Sequence, residues 1–263
     1  MLGEIGRGST SVVHLAMDAA GREVAVKEIL PGIAAEADGR RRLAREIAVQ
    51  SRITSPYVAR LLDGDAAAER PYLAMQYVPG LPLNDLVAAY GPFQGDRLLR
   101  LARRLALGMA AVHDAGVLHR DLAPGNVIVL GDRPTLIDFG IAHGAGADRI
   151  TRRGMVVGTP AYLAPELIEG EPATAASDVF SWAATLACAA TGRPPYGRGS
   201  LHGTCFRILR GEHDLDGIAG PLAELLPLGL RRDPAARPSA RWFAGALAEE
   251  SGAVTERGGV VAA

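Results

Sequence analysis

Cysteines, long apolar runs and excess charge are scarce in this 263-residue chain, and each scarcity excludes a class of protein. The two cysteines, Cys188 and Cys205, are too few for a disulfide framework and lack the spacing of metal ligands. No apolar run approaches the ~20 residues that a membrane span needs, and the start lacks the apolar core of a signal peptide. A formal net charge of −1 does not suggest a surface for nucleic acid or a membrane. The sequence therefore predicts a cytoplasmic globular protein with neither of these partners.

Lysine is the scarcest of the charged residues. Of the 28 lysine and arginine residues, one is a lysine, Lys27. The arginine guanidinium is planar, whereas the lysine ammonium is a compact charge on a flexible stem. A position that keeps lysine in an arginine-rich chain is therefore a candidate for a function that needs the ammonium. The alternative is a lysine that persists by chance on a solvated surface.

The predicted elements divide the chain into a strand-rich first part and a helical second part. Alternating or β-branched runs predict strands at 11–17, 22–29, 58–62 and 71–77. Apolar residues at spacings of three and four predict helices at 39–53, 96–115, 177–191, 201–211 and 239–250. A small β lobe followed by a larger helical lobe implies an α+β fold with a ligand cleft between the lobes. The predicted domain spans 1–250, with lobes at 1–78 and 79–250, and residues 251–263 are predicted to be a disordered tail.

The predicted helix 177–191 is apolar nearly all round. Large residues such as Phe180 and Trp182 point to different sides of it, so we expect it to be buried inside the larger lobe. Ser177 is its predicted N-cap, and Gly192 follows its last residue.

Five short segments carry the chemistry. They are IGRGSTSVV at 5–13, VAVK at 24–27, HRDLAPGN at 119–126, DFG at 138–140 and APE at 164–166. Each alone is weak, and a glycine-rich turn can also open the dinucleotide-binding fold of an oxidoreductase. That fold needs a helix directly after the glycines, whereas a strand is predicted here. All five segments in this order leave little room for coincidence.

In this order the segments resemble the protein kinase family, over the chain from residue 2 to about 248. Further agreement comes from GTPAYLAPE at 158–166, SDVFSW at 177–182 and DPAARPSA at 233–240. The texture is most similar to bacterial eukaryotic-like (Hanks-type) Ser/Thr kinases. The resemblance implies the two-lobed protein kinase fold, with a small antiparallel β lobe carrying one helix and a larger, mainly α-helical lobe. It also implies transfer of the γ-phosphate of ATP to Ser/Thr hydroxyls of protein substrates in bacterial signalling, with ATP and Mg²⁺ as cofactors.

The resemblance also implies which residues hold the nucleotide. Gly6 and Gly8 let backbone amides approach phosphate oxygens without a Cβ in the way. Ser11 stands where the third glycine of the motif usually falls, which is a mild departure. The implied nucleotide-binding residues are Ile5, Gly6, Arg7, Gly8, Ser9, Thr10, Ser11, Val12, Val13, Ala25, Lys27, Met75, Val78 and Ile128. Among these, Val13, Ala25 and Ile128 would enclose the adenine, and Met75 and Val78 would lie on the hinge between the lobes.

Five residues are implied to act in catalysis. Lys27 would pair the α- and β-phosphates and be held by Glu46 of the first helix. Asp121 would orient the substrate hydroxyl and accept its proton. Asn126 and Asp138 would hold Mg²⁺ through oxygen ligands. The alternatives are that Glu46 is a solvated helix carboxylate and that Asp121 caps a turn.

Four further residues have structural roles in this interpretation. His119 and Phe139 are expected to pack in the core. Glu166 and Arg237 are implied to form a buried ion pair that ties the segment after DFG to the large lobe. Removal of one partner should cost about 3–5 kcal/mol, because the other charge stays behind.

The catalytic loop departs from the family pattern. Ser/Thr kinases usually carry a lysine where this chain has Ala123, and tyrosine kinases carry an arginine where it has Gly125. The loss of one cation near the γ-phosphate should lower the rate by about a hundredfold. Arginines that could compensate lie between DFG and APE, at Arg149, Arg152 and Arg153. The alternative function is therefore an ATP-binding pseudokinase or scaffold.

The segment between DFG and APE also contains two threonines of interest. Thr159 in GTPAYLAPE is typical of the Ser/Thr form of the family. Thr151 lies in the basic stretch ITRR, and autophosphorylation there would give Arg120 a phosphate to bind, which would order the segment. The alternative is an unmodified surface threonine.

Overall fold

The computed structural model describes residues 1–8, 11–34, 37–139 and 160–258. The first part contains the strands β1 Gly3–Arg7, β2 Ser11–Met17, β3 Glu23–Ile29, β4 Leu61–Asp65 and β5 Tyr72–Gln76. They form one antiparallel sheet in the order β1-β2-β3-β5-β4, which confirms the predicted small β lobe. The strand predicted at 58–62 begins only at Leu61, because the N–H of Ala59 donates to Leu136 in the larger lobe, at 2.9 Å.

Two helices accompany this sheet, α1 Pro31–Ala34 and α2 Ala37–Gln50. The four-residue α1 was not predicted. Helix α2 packs on the sheet through Leu43, which is buried with Ile29 and Leu73. It ends three residues before the predicted boundary, where Ile53 donates its N–H to the carbonyl of Gln50 in a turn.

The larger lobe is mainly helical, as predicted. Its helices are α3 Leu83–Tyr90, α4 Gly95–Asp114, α5 Pro165–Ile168, α6 Ala175–Thr191, α7 Leu201–Arg210, α8 Pro221–Gly229 and α9 Ala240–Gly258. A small sheet of β6 Leu81–Pro82, β7 Val127–Leu130 and β8 Arg133–Leu136 lies on the side that faces the first lobe. These three strands, α3, α5 and α8 were not predicted, because each is short and Pro227 interrupts the helical pattern of α8.

Helix α6 is the centre of the large core. Every residue from Ser177 to Ala190 is buried, so the expected burial is confirmed. The predicted N-cap is one turn wrong: Thr174 is the cap, and Ser177 is the third helical residue, whose hydroxyl accepts from the N–H of Thr174. Gly192 ends the helix with φ of 77°, a left-handed conformation that favours glycine.

The last helix runs further than the sequence predicts. Helix α9 continues through residues 251–258, which were expected to be part of a disordered tail. The rest of the predicted tail, residues 259–263, lies outside the described residues. Among the described helices, none has the length and apolar composition to cross a membrane.

Candidate functional site

A cleft of about 410 Å³ opens between the five-stranded sheet and the β7–β8 hairpin. Strands β1, β2 and β3 line one side, and the end of β5 with the following segment lines another. The nucleotide-binding residues predicted from the sequence that line it are Ile5, Gly6, Val13, Ala25, Met75, Val78 and Ile128. The sequence therefore identified residues from both walls of a single cavity.

Other predicted nucleotide residues lie off this wall. Val12 is buried on the opposite face of the sheet from Val13, because successive side chains of a strand alternate. Ser11 is buried, and its carbonyl accepts the N–H of Gly8 at 2.9 Å to close the turn between the strands. Arg7 is exposed and bonded to Glu4. Ser9 and Thr10 lie outside the described residues.

The cleft wall includes residues that sequence reasoning missed. They are Ala59, Gln76, Tyr77, Gly80, Pro82, Gly125 and Ile137. Most belong to turns or short strands, which have no periodicity to read. Gly80 has a steric reason to be glycine, since a Cβ there would lie 2.6 Å from the carbonyl oxygen of Val129, a contact that only the fold creates.

The single lysine reaches the cleft. Lys27 lies on β3 opposite Val13, and its Nζ donates to Oδ1 of Asp138 at 2.8 Å. Asp138 itself lines the cleft and has a φ of 53°, in the left-handed region that non-glycine residues seldom adopt. The alternative of a lysine on a solvated surface is excluded, because Lys27 is buried.

The predicted Lys27–Glu46 ion pair is not formed in this structure. Within the described part of the chain, Lys27 pairs with Asp138, and Oε1 of Glu46 accepts instead from Nε2 of Gln50, at 2.7 Å. Burial raises the pKa of Glu46 to about 8, although the nearby charges of Lys27 and Arg120 act to lower it. Glu46 is therefore not the solvated carboxylate of the alternative interpretation.

The loop that carries Asp121 is held from below by Asp178 of α6. The backbone N–H groups of His119 and Arg120 each donate to the Asp178 carboxylate at 2.8 Å, and Nε2 of His113 donates to it at 2.9 Å. This arrangement fixes Arg120 at a φ of 67°. Sequence reasoning did not assign Asp178 a role, although a carboxylate in an otherwise apolar helix is a usable signal.

Asp121 and Asn126 are joined across the loop. Nδ2 of Asn126 donates to the backbone oxygen of Asp121 at 2.6 Å and to its Oδ2 at 3.0 Å. The N–H of Ile137 donates to the carbonyl of Asn126 at 3.0 Å, which brings the residue before Asp138 against the same loop. The structure thus gathers Asp121, Asn126 and Asp138 on one side of the cleft.

His119 and Phe139 pack in the core, as the sequence predicts. Both are buried, with ring centroids 4.9 Å apart. Burial lowers the pKa of His119, so its ring is neutral, and Nε2–H donates to the carbonyl of Ile137 at 3.1 Å. The neutral ring is therefore a spacer between the two loops.

The donor set at the cleft fits a hard cation such as Mg²⁺. Asp138 offers the carboxylate oxygen that Lys27 does not bind, and Asn126 offers its side-chain oxygen, since its nitrogen is bonded to Asp121. No three His, Cys, Asp or Glu side chains are grouped as metal ligands in residues 1–8, 11–34, 37–139 and 160–258. A cation held here would therefore complete its shell with phosphate oxygens and water.

The predicted buried ion pair is confirmed. Nη1 and Nη2 of Arg237 donate to the two carboxylate oxygens of Glu166 at 2.7 and 2.8 Å. Burial alone would raise the pKa of Glu166, but the hydrogen bonds from Arg237 and Ser177 bring it below its ordinary value. The pair fixes α5 to the segment that follows α8.

Several residues that the sequence analysis singled out belong to DFG or to the segment that follows it. Those that lie outside the described residues are Gly140, Arg149, Thr151, Arg152, Arg153 and Thr159.

Comparison with known proteins agrees with the geometry. Residues 1–244 match the family model described as the protein kinase domain. The chain is 38% identical over 240 residues to the serine/threonine-protein kinase AfsK of Streptomyces coelicolor, covering 91% of this chain and 30% of AfsK. It is 36% identical over 267 residues to the serine/threonine-protein kinase PknK of Mycobacterium tuberculosis, covering 98% of this chain and 24% of PknK.

A solved structure gives the same result for the fold. The crystal structure of Rad53 residues 1–466 in complex with AMP-PNP superposes with a TM-score of 0.78 at 25% identity, over 93% of this chain and 63% of that one. The chain spans about 30% of the length of AfsK. With a family model that matches nearly its whole length and a cleft that gathers the motif residues, the chain belongs to the protein kinase family.

Proposed function

We propose that the chain is a Ser/Thr protein kinase that transfers the γ-phosphate of ATP to hydroxyls of protein substrates. Membership of the family implies the use of ATP. The observation that carries the proposal is the Lys27–Asp138 contact of 2.8 Å at the wall of the cleft. The loop of Asn126 and Asp121 is hydrogen-bonded to Ile137, the residue before Asp138. One ammonium and three oxygen-bearing side chains on opposite lobes are what a metal-bound triphosphate requires.

The adenine would lie between the two lobes. Val13 and Ala25 supply apolar surface from the small lobe, and Ile128 supplies it from the large lobe. Met75 and Val78 line the same cleft at the connection between lobes that we place at 1–78 and 79–250. With the adenine in this place, the phosphates would extend toward Lys27, which lies opposite Val13, and toward the glycine turn between β1 and β2.

Lys27 and Asp138 would part when the nucleotide binds. The Lys27 ammonium would then pair the α- and β-phosphates, and Asp138 and Asn126 would hold Mg²⁺ through their side-chain oxygens. When bound, Mg²⁺ neutralises negative charge on the phosphate oxygens. The contact seen here thus keeps both charged groups satisfied until their ligands arrive.

Asp121 would act on the substrate hydroxyl. Its Oδ2 accepts a hydrogen bond from Asn126 at 3.0 Å, and the loop beneath it is fixed by Asp178. A carboxylate held in this way can orient a serine or threonine hydroxyl and accept its proton as the oxygen attacks. The segment GTPAYLAPE and the bacterial Ser/Thr kinase relatives support a Ser/Thr acceptor.

Control of the site is proposed to involve Thr151. Arg120 is an exposed residue of the catalytic loop, and a phosphate on Thr151 would give it a doubly charged partner. Mass spectrometry of active protein should find phosphate on Thr151, and an active protein without phosphate between DFG and APE would contradict this.

A phosphotransfer assay tests the proposal directly. Wild-type protein with labelled ATP and Mg²⁺ should label itself or a generic Ser/Thr substrate. Asp138→Asn and Lys27→Met should each abolish labelling while the protein keeps its thermal unfolding transition. Retained labelling in both variants would contradict the assignment of the site.

A second candidate is an ATP-binding scaffold without phosphotransfer. It is favoured by Ala123, which lies in the catalytic loop where Ser/Thr kinases usually carry a lysine. Thermal stabilisation of the wild type by ATP and Mg²⁺ with no incorporation of label would support the scaffold and exclude the kinase.

A further inference from the structure

Glu46 is close to Lys27 but bonded elsewhere. Of the influences that lower its pKa, the charge of Lys27 is the largest, ahead of Arg120 and of the hydrogen bond from Gln50. The Lys27 ammonium nevertheless contacts Asp138, and the Glu46 carboxyl accepts from Gln50 at 2.7 Å. Glu46 and Lys27 therefore each have a partner that competes with the contact between them.

Gln50 is a polar residue at a buried position of α2. It lies one turn after Glu46, at the end of α2, and is only 4% exposed. A buried amide N–H₂ without a partner costs free energy, so its hydrogen bond to Glu46 is not readily exchanged for water. Loss of this bond is therefore part of any change that moves Glu46 to Lys27.

The helix itself is held in place. Leu43 is buried against the sheet, and Ile47 packs so closely on β4 that a Cβ at Gly64 would lie 3.0 Å from its Cγ1. Because these contacts hold α2 on the sheet, we expect Glu46 to exchange partners by a change of its side-chain conformation.

The charges that face Glu46 act in opposite directions. Lys27 on β3 and Arg120 in the catalytic loop attract a carboxylate, whereas Asp138 after β8 repels it. When the Lys27 ammonium is hydrogen-bonded to Asp138, the negative charge of Asp138 offsets part of the attraction between Lys27 and Glu46. Gln50, on the same helix as Glu46, is then the group that holds the Glu46 oxygen.

We infer that Gln50 is a positioning residue that holds Glu46 away from Lys27 and so keeps the lysine on Asp138 until nucleotide binds. The inference rests on the proposed function, because it assumes that the nucleotide requires Lys27 and Asp138 to part. Gln50 lies outside the five sequence motifs, and it competes with Lys27 for the side chain of Glu46. The arrangement lowers the population of the nucleotide-competent state and so raises the apparent KM for ATP.

The single lysine makes the partner exchange directly observable. Protein grown with [ε-¹⁵N]lysine carries one labelled side chain, Lys27. In the wild type without nucleotide, Asp138→Asn should move its ¹⁵N resonance and Glu46→Gln should leave it nearly unchanged. In a Gln50→Met background, which keeps the volume and removes the donor, Glu46→Gln should now move it.

The resonance also separates this inference from the proposed function, since it does not depend on phosphotransfer. If Glu46→Gln has no effect on the resonance in the Gln50→Met background, the positioning role is wrong even where the wild type is an active kinase. If the resonance behaves as expected and no phosphotransfer occurs, the positioning role stands and the kinase assignment fails.

Kinetics provide the second measurement. Gln50→Met should lower the KM for ATP by about fivefold, the effect of one lost neutral hydrogen bond in the resting state, with kcat unchanged. Leu43→Met is the matched control, since it changes a buried residue of α2 that has no polar contact, and it should leave KM unchanged. A raised KM or a lowered kcat in Gln50→Met would overturn the inference. Gln50→Leu serves as the second variant. Loss of cooperative unfolding in both Gln50 variants would show a purely structural role and would also overturn it.

Discussion

Two ion pairs in this molecule each join a cation to a carboxylate, but they differ in the number of their contacts and in their exposure. The cleft pair joins Lys27 to Asp138 by one contact of 2.8 Å, with side chains 11% and 31% exposed. The anchor pair joins Arg237 to Glu166 by two contacts, with side chains 0% and 8% exposed. Arg237 also donates to three backbone carbonyls, and Glu166 also accepts from Ser177.

The difference shows which pair is made to separate. The anchor pair fills nearly all of its hydrogen-bonding capacity inside the protein, so its loss leaves a buried charge without a partner. The cleft pair has one contact, borders a cavity and lies near a second carboxyl group, that of Glu46. In the proposed function the phosphates of the nucleotide would be a further partner for Lys27. Changes to the cleft should therefore alter activity, and changes to the anchor should alter stability.

The largest expected effect belongs to the cleft. Asp121→Asn should lower kcat by about 10²- to 10⁴-fold, because the amide cannot accept the hydroxyl proton. The hydrogen bond from Asn126 can persist, so the urea midpoint should stay close to that of the wild type. Phosphotransfer at saturating substrate measures kcat, and urea unfolding measures the midpoint. The exposed Asp114→Asn is the control for both. Activity within threefold of wild type would break the assignment of Asp121.

The next effect belongs to the anchor. Glu166→Gln should lower the free energy of unfolding by about 3 kcal/mol, since Arg237 stays buried without its counter-charge. Glu169→Gln is the matched control: its ion pair with Arg232 is exposed, and its loss should cost less than about 1 kcal/mol. Equal urea midpoints for the two variants would remove the distinction between the pairs.

A change in the catalytic loop should restore what the loop lacks. Ala123→Lys should raise the rate of phosphotransfer by about tenfold to a hundredfold, as a cation reaches the developing charge on the γ-phosphate. Steady-state rates at saturating ATP measure this, and Ala123→Met controls for added volume. No gain over Ala123→Met would mean that another cation already serves the γ-phosphate.

The remaining expected effect is the pH dependence that Glu46 gives to stability. Its pKa is raised to about 8 in the folded protein, mainly by burial, from an ordinary value of 4.5. The folded chain therefore keeps a proton that the unfolded chain releases, and this contribution to stability is complete below pH 4.5 and declines up to about pH 8. Glu46→Gln should remove this decline, so its stability relative to wild type should increase between pH 6 and pH 8.

Urea unfolding at pH 6, 7 and 8 checks this prediction, and the slope for one group is at most ~1.4 kcal/mol per pH unit. Glu171→Gln, at an exposed position, is the control and should leave the slope of the wild type unchanged. A parallel decline in Glu46→Gln and the wild type would show that Glu46 ionises normally.

The motif residues were the part of the site that the sequence could predict. Lys27 was found by its scarcity and by its motif, and the structure brings it to the cleft beside Asp138. The structure gives it Asp138 as a partner in place of the predicted Glu46, because the choice between the two depends on side-chain rotation and on the competing amide of Gln50. No spacing in the sequence records such a choice.

The fold divides in the same way. The long helices α4 and α6 were predicted within two residues at each end, α4 from its periodic apolar positions and α6 from a long apolar run that ends at Gly192. Strands β6 to β8 have two to four residues each and carry no pattern of that kind. Asp178 was missed because its role is to accept the N–H groups of a loop about 58 residues earlier in the chain, a contact that only the fold creates.

The most direct test of the account follows Lys27 during binding. With its one side chain labelled by [ε-¹⁵N]lysine, the protein is titrated with Mg²⁺ and a non-hydrolysable ATP analogue. The account predicts a saturable shift of this single resonance, as the ammonium leaves Asp138 for the phosphates, and a much weaker response in Asp138→Asn. A resonance that stays in place while the analogue demonstrably binds would contradict it.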